Sequence, residues 1–188
     1  MRIIAGQFRG RKLLPPEGEA TRPITDRVKQ SVFDILSPRI EGAVVYDLFA
    51  GTGSMGLECL SRGAGKAFFF EADRSAVGRL RKNIDGLNLS AEQAVIRAGD
   101  LFNLPALDSA TAADLVFLDP PYRFLTDRAD ELRNLVGRIA ESNLRTGGLV
   151  VFRHDARDTI ELPELKSADR REYGGMVVEF LEPARPYS

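Results

Sequence analysis

Apolar residues in this chain follow two rhythms. Short unbroken runs rich in β-branched and aromatic residues occur at Ala43–Leu48, Lys66–Glu71, Gln93–Ala98, Asp114–Leu118 and Leu149–Phe152. Such runs read as strands buried on both faces. Between them lie amphipathic stretches at Ser54–Ser61, Arg74–Leu87 and Asp127–Leu144, the last closed by Gly147-Gly148, which read as helices. A short helical or irregular piece is expected around Leu101–Leu107. Strand and helix in alternation predict an α/β fold, a doubly wound Rossmann-like sheet that is mostly parallel. The last stretch departs from this rhythm. Arg170–Tyr173, Gly174-Gly175 and Met176–Leu181 predict a closing hairpin, an antiparallel pair at the sheet edge.

Ahead of the alternation the pattern differs again. Arg2–Gly6 and Arg11–Leu14 flank Gln7-Phe8-Arg9-Gly10 and predict a small N-terminal β-hairpin arm with Arg9 and Arg11 at its tip. Pro15–Pro23 reads as loop. Thr25 then suits a helix N-cap before Val28, Val32, Phe33 and Leu36, which share one face, and Pro38 stops that helix. Arg27 and Lys29 fall off the apolar stripe and are expected to extend a basic surface. The division is thus an arm at 1–25 and a body at 26–188.

Composition changes this picture in one respect. The chain of 188 residues is 44% hydrophobic, enough for one sizeable core, and its net charge is only -1. Residues 1–30 nevertheless carry seven Lys/Arg against three acids, a net of +4 that leaves -5 for the remainder. A basic arm on an acidic body points to a polyanion met at one end. The single Cys59 excludes an internal disulfide, and no apolar run reaches the about 20 residues that cross a bilayer. With no signal-peptide core either, the expectation is a cytoplasmic protein without membrane contact.

Two motifs carry chemistry. Asp119-Pro120-Pro121-Tyr122 follows the apolar run Asp114–Leu118 and so falls at the carboxyl end of a strand, where open α/β sheets bind ligands. A plain Asp-Pro turn is the alternative. Asp47-Leu48-Phe49-Ala50-Gly51-Thr52-Gly53-Ser54-Met55-Gly56 joins the first strand of the body to a helix. Gly51, Gly53 and Gly56 satisfy the dinucleotide spacing G-x-G-x-x-G, with Glu71 at the distance of a ribose-binding acid, so a nicotinamide or flavin enzyme is an open reading. Asp47 argues otherwise. A carboxylate there cannot help to hold pyrophosphate but can accept from the ammonium of an amino acid.

Together, Asp47–Gly53, Glu71, Gly99-Asp100 and Asp119–Tyr122, in that order, resemble the motifs of class I S-adenosylmethionine-dependent methyltransferases that act on exocyclic amino groups. Met1–Gly6, Arg9-Gly10-Arg11, Thr21-Arg22-Pro23, Asp26-Arg27-Val28 and Phe33 narrow the resemblance to the small-subunit (16S-type) ribosomal RNA guanine-N2 methyltransferases. It runs from Met1 to about Leu181. The resemblance implies that residues 26–188 form the methyltransferase domain and the arm binds RNA. It implies an S-adenosylmethionine site of Asp47, Phe49, Ala50, Gly51, Thr52, Gly53, Ser54, Gly56, Glu71, Ala72, Asp100 and Leu101. In that site Glu71 takes the ribose hydroxyls and Asp100 the adenine amino group. Asp119, Pro120, Pro121 and Tyr122 become the catalytic set. Asp119 and the Pro120 carbonyl accept from the target amino group, and Tyr122 stacks on the base.

Arg9, Arg11, Arg22 and Arg27 are the candidate phosphate contacts, and Phe124 a second apolar wall for the base. The expected partner is ribosomal RNA, a small ribosomal subunit or an assembly intermediate, met by a monomer. Deleting residues 1–22 is expected to abolish RNA methylation and to spare the cofactor. No Cys/His cluster suggests a metal. Two departures stand out: Ile24 follows Pro23 where the family pattern has threonine, and Arg153 precedes His154 where an acidic residue is expected. An N6-adenine DNA methyltransferase would share Asp119–Tyr122 but usually needs a separate target-recognition region. A protein-glutamine methyltransferase would more typically carry Asn at 119, and a non-catalytic RNA-binding module would have no use for the complete glycine loop.

Overall fold

The structure, a computed structural model, describes residues 1–16, 24–103 and 111–184. Thr25 caps the first helix, α1 (Asp26–Leu36), by accepting from the Val28 N–H, and a 3₁₀ turn at Ser37–Arg39 follows. The body then runs β1 (Val44–Leu48), α2 (Ser54–Ser61), β2 (Lys66–Glu71), α3 (Arg74–Gly86), β3 (Ala94–Ala98) and β4 (Ala113–Leu118). After it come α4 (Phe124–Asp127), α5 (Ala129–Arg138), β5 (Leu144–Asp155), β6 (Leu165–Tyr173) and β7 (Met176–Pro183). The strands form one seven-stranded sheet in the order β3-β2-β1-β4-β5-β7-β6. Its first five members pair parallel, and β7 pairs antiparallel with both β5 and β6.

The alternation of strand side chains builds two cores. On one face Val45, Phe69, Phe117 and Val151 pack under α1, α2 and α3. On the other, Tyr46, Phe70, Val116, Leu118 and Phe152 pack under α5. The strand order reverses between β1 and β4, which run side by side and parallel in different directions of the winding, so the ends of β1 and β4 open the crevice where such sheets hold ligands.

Several expectations need revision. The helix expected over Asp127–Leu144 is α4, α5 and a π-helical turn at Ile139–Asn143, and Gly147-Gly148 lie inside β5 and not at a helix end. There the β4–β5 register jumps from Ala113↔Leu144 to Leu115↔Leu149, so the glycines occupy a bulge. The closing hairpin is as expected, its two-residue turn made by Gly174 (φ 56) and Gly175 (φ 85), the left-handed pair that matches strand twist. The N-terminal hairpin is reduced to one antiparallel bridge, Arg2↔Lys12. The expected helical piece is a 3₁₀ turn at Leu101–Asn103; its continuation and Arg22 lie outside the described residues.

The arm is also part of the core. Ile3 and Leu13 are buried in the cluster that contains α1 and α2 residues. The Ile4 and Ala5 N–H groups donate to the Glu58 carboxylate. Lys29, expected on a basic surface, is 1% exposed and pairs with Glu58 at 2.9 Å; its ammonium also donates to the Arg2 carbonyl and to Ser54 Oγ. Periodicity missed this because a lysine beside an apolar stripe is ordinarily solvated, and only the tertiary partner on α2 makes burial tolerable. Truncating residues 1–22 would therefore remove Ile3 from the core and donors from Glu58, so it tests stability and not RNA recognition.

Breaking this pair should be costly. Lys29→Met leaves the buried Glu58 carboxylate with Arg62 in place of two cations and is expected to lower stability by about 3 kcal/mol, with Glu58→Gln in the same chain restoring part of the loss. Urea unfolding of the single and double variants measures both.

Candidate active site

The site is assembled from the loops after β1, β2, β3 and β4. At the end of β1, Phe49 takes a left-handed conformation (φ 59), which turns the chain sharply out of the sheet. A non-glycine residue held there marks a site where the surrounding structure over-determines the backbone. Gly53 then caps α2.

Asp47 is 2% exposed, and its Oδ2 accepts from the Gly56 N–H at 2.9 Å. The carboxylate thus sits on the first turn of α2, where a pyrophosphate would have to lie in the dinucleotide reading. The neighbouring donors are also taken: Gly51 N–H by Glu71, Gly53 N–H by the Ala50 carbonyl, Leu57 N–H by the Gly53 carbonyl. These bonds occupy donors that a pyrophosphate would need, and at Gly56 the glycine spacing serves packing. A Cβ on Gly56 would lie 2.4 Å from the Phe69 ring and 3.2 Å from Asp47 Oδ2.

Burial pushes the Asp47 carboxyl up to about 8; the Gly56 N–H opposes the shift, and the carboxylates of Asp119 and Glu71 add to it. A buried acid facing two others is a site that calls for a cation. Glu71 braces the loop by accepting from Gly51 N–H at 2.7 Å and Asp73 N–H at 2.8 Å, and remains half-buried at the end of β2 beside exposed Ala72. At Gly51 a Cβ would meet nothing within 4 Å, so the backbone there borders open space.

Asp100, expected on an adenine, makes contacts within the chain. It accepts from the Phe102 N–H and the Asn103 amide and pairs with Arg128 at 3.1 Å, beside buried Leu101. Arg128 in turn stacks over Phe102 (4.1 Å) and Phe124 (5.3 Å). Phe49, Phe102 and Phe124 form a triangle with ring centroids 5.8–5.9 Å apart. Phe124, expected beside the target base, therefore meets Phe49, expected around the cofactor, and Phe102, which the sequence did not single out. The three rings come from three strand ends, and nothing in their sequence spacing announces them as a unit.

Asp119 points from the end of β4 to the same face as Asp47. Arg153 of β5 holds it with both arms, Nε to Oδ1 at 2.7 Å and Nη2 to Oδ2 at 2.5 Å. Pro120 is buried and Tyr122 half-buried. The Pro121 carbonyl accepts from the Phe124 N–H, which starts α4. Ile24, Val32, Met55 and Val178 line a narrow apolar cleft leading to Asp119 and Arg153. A second cleft of about 510 Å³, bordered by Thr25, Arg27, Ser31, Tyr173 and Met176, lies between α1 and the β6–β7 turn.

Among the other expected residues, Thr52 and Ala50 are buried in the loop, and the Thr52 carbonyl accepts from Asn83 of α3. Asn83 also exchanges hydrogen bonds with Leu14, so one unpredicted amide ties the arm to the glycine loop. Arg9 and Arg27 are exposed; Arg11 donates to the Gly86 carbonyl at the end of α3 and so is partly structural. His154 projects to the opposite face from Arg153, stacked on Phe152, and is no part of the site. No group of metal-ligating side chains occurs among the described residues, and among them no helix is long and apolar enough to cross a membrane.

Strand order, the antiparallel β7 and a site at the ends of β1 and β4 define the architecture of the class I methyltransferases. A solved structure of rRNA methyltransferase aviRa from Streptomyces viridochromogenes has this fold, with a TM-score of 0.66 at 17% identity over 89% of this chain and 88% of that one. The solved Escherichia coli protein yhhF is closer, with a TM-score of 0.79 at 33% identity over 97% of each chain. The chain belongs to the family described as conserved hypothetical protein 95, whose model matches residues 1–182. A relative in Haemophilus influenzae, ribosomal RNA small subunit methyltransferase D, is 46% identical over 125 residues, which are 66% of this chain and 65% of that protein.

The state of Asp47 sets a pH dependence. Its folded value of about 8 lies above the ~3.9 of an unfolded chain, so the folded state binds this proton more tightly and loses relative stability as pH rises through that window. The melting temperature of the ligand-free protein is expected to fall from pH 5 to pH 8, and Asp47→Asn to flatten that decline; thermal scans of both proteins across the range measure it.

Proposed function

We propose that the chain transfers a methyl group from S-adenosylmethionine to the exocyclic N2 amino group of a guanine in small-subunit ribosomal RNA. The observation that carries this reading is the convergence of Asp119, the first residue of Asp119-Pro120-Pro121-Tyr122, with Asp47 on one face at the ends of β4 and β1. The chemistry of the donor set fits the cofactor. Asp47 is a buried acid suited to an ammonium, Glu71 to a ribose diol, and the open space over Gly51 to the ligand between them. When bound, S-adenosylmethionine supplies a methyl group already activated by its sulfonium.

The remaining work is alignment and electrostatics, and it falls to the chain's own residues. An amino nitrogen on a purine is a poor nucleophile because its lone pair is delocalised into the ring. Asp119 and the Pro120 carbonyl accept its two hydrogens and favour a pyramidal nitrogen with the lone pair directed at the methyl donor. The proton leaves to water once the nitrogen carries the positive charge, so Asp119 need not act as a strong base. Tyr122 offers a stacking face, and Arg9 and Arg27, both exposed, offer phosphate contacts, with Arg27 at the mouth of the cleft beside α1. The name of the Haemophilus influenzae relative supports ribosomal RNA as the acceptor.

The test is incubation with labelled S-adenosylmethionine and unmodified small subunits, naked ribosomal RNA or DNA, followed by identification of the methylated nucleoside. N2-methylguanosine in the RNA is expected; N6-methyladenine in DNA overturns the reading. Asp119→Ala is expected to bind the cofactor normally in calorimetry and to lose about 10²-fold or more in turnover. Arg9→Glu and Arg27→Glu should weaken RNA binding and reduce its salt dependence while leaving cofactor affinity unchanged.

A further inference from the structure

We propose that Arg153 is the positioning residue for Asp119, so that the acceptor presented to the target nitrogen is an ion-paired carboxylate fixed in one plane. This rests on the reading of Asp119 given above. Arg153 stands at the place on β5 where the family pattern leads one to expect an acid, and the register puts it there for a physical reason. Phe117 pairs with Val151 and Leu118 with Phe152, so residue 119, just past the end of β4, lies beside residue 153, still within β5, on the same face. The contact is a fork. Nε and Nη2 each meet a different Asp119 oxygen, at 2.7 and 2.5 Å, and Nη1 is directed at Met176 Sδ on β7 at 3.7 Å. The guanidinium is thus fixed from both neighbouring strands. The Arg153 side chain is only 11% exposed, and Ile24, Val32, Met55 and Val178 give the cleft beside the pair an apolar lining.

The surroundings explain why the clamp is needed. Asp47 on β1 and Glu71 on β2 bring two further carboxylates to the same strand ends; Lys29 on α1 and Tyr122 on the Asp119 loop are the other ionisable groups nearby. The Glu71 carboxylate, and Asp47 whenever it is ionised, would favour an unpaired Asp119 side chain turned toward solvent, where it could not meet a base. A planar fork opposes that rotation, whereas a point charge would not. A carboxylate has about four lone-pair sites. The fork uses two, and the others stay open to the amino hydrogen.

The experiment compares Arg153→Gln, Arg153→Lys, Arg153→Gly and Asp119→Ala with the wild-type protein in single-turnover methylation of the ribosomal substrate, with cofactor affinity and unfolding midpoints measured alongside. A misplaced acceptor is expected to lower the single-turnover rate constant at saturating substrate by about 10- to 100-fold in Arg153→Gln. Cofactor affinity and the RNA concentration that gives half the maximal single-turnover rate should stay within about twofold. Arg153→Lys should recover only part of the rate, and millimolar methylguanidinium should raise the rate of Arg153→Gly but not of Asp119→Ala. A purely structural role would lower the unfolding midpoint without rescue by methylguanidinium, and that result overturns the proposal. So does wild-type turnover in Arg153→Gln beside an inactive Asp119→Ala. If Asp119→Ala itself keeps full activity, the reading of Asp119 fails and the inference with it. Should Arg153→Gln not fold, full activity of Arg153→Lys overturns the proposal and its partial activity supports it.

Discussion

Glu58 is a fully buried carboxylate in the middle of α2, and donors from several parts of the chain converge on it: the Ile4 and Ala5 N–H groups, the Lys29 ammonium and the Arg62 guanidinium. None of these contacts is in the active site, yet the site depends on them. They fix α2 against α1 and the N-terminal arm, and the glycine loop is the first turn of α2. Lys29 reaches from this cluster to Ser54 Oγ at the start of that helix. Four donors from the arm, α1 and α2 meet on this one buried carboxylate, so the network favours one arrangement of arm, helix and loop, although Nη2 of Arg62 is buried without a hydrogen-bond partner.

The second organising constraint is the gathering of three carboxylates, Asp47, Glu71 and Asp119, at neighbouring strand ends. Each is handled differently. Asp47 is buried on the α2 N-terminus and held high in pKa; Glu71 braces the Gly51 turn; Asp119 is forked by Arg153. The arrangement gathers negative groups at these strand ends, with Arg153 forked onto one of them. Such a site favours a cationic ligand over a phosphate, and this is why the literal G-x-G-x-x-G spacing does not make the chain a dinucleotide binder.

The strands were legible because buried parallel strands must be apolar throughout, so Val44–Leu48, Lys66–Glu71 and Ala113–Leu118 stand out without reference to anything else. The type of turn at Gly174-Gly175 was legible for an equally local reason. Helix ends around Gly147-Gly148 were not. A glycine pair serves a helix terminus or a strand bulge equally well, and the choice is made by pairing between β4 and β5. Lys29 was misplaced by the same logic, since the residue that makes its burial tolerable lies on another helix.

By itself the sequence determined the order of elements, the loop positions of Asp47, Glu71, Asp100 and Asp119, and the excess of positive charge near the N-terminus, because spacing, periodicity and residue type are local properties. Only the tertiary structure decided that the arm is anchored in the core, that Asp100 pairs with Arg128, that three phenylalanines from three strand ends meet, and that Arg153 grips Asp119. Those pairings join residues far apart in the chain through sheet register and helix docking, and a contact fixed by register has no signature in the spacing of either partner.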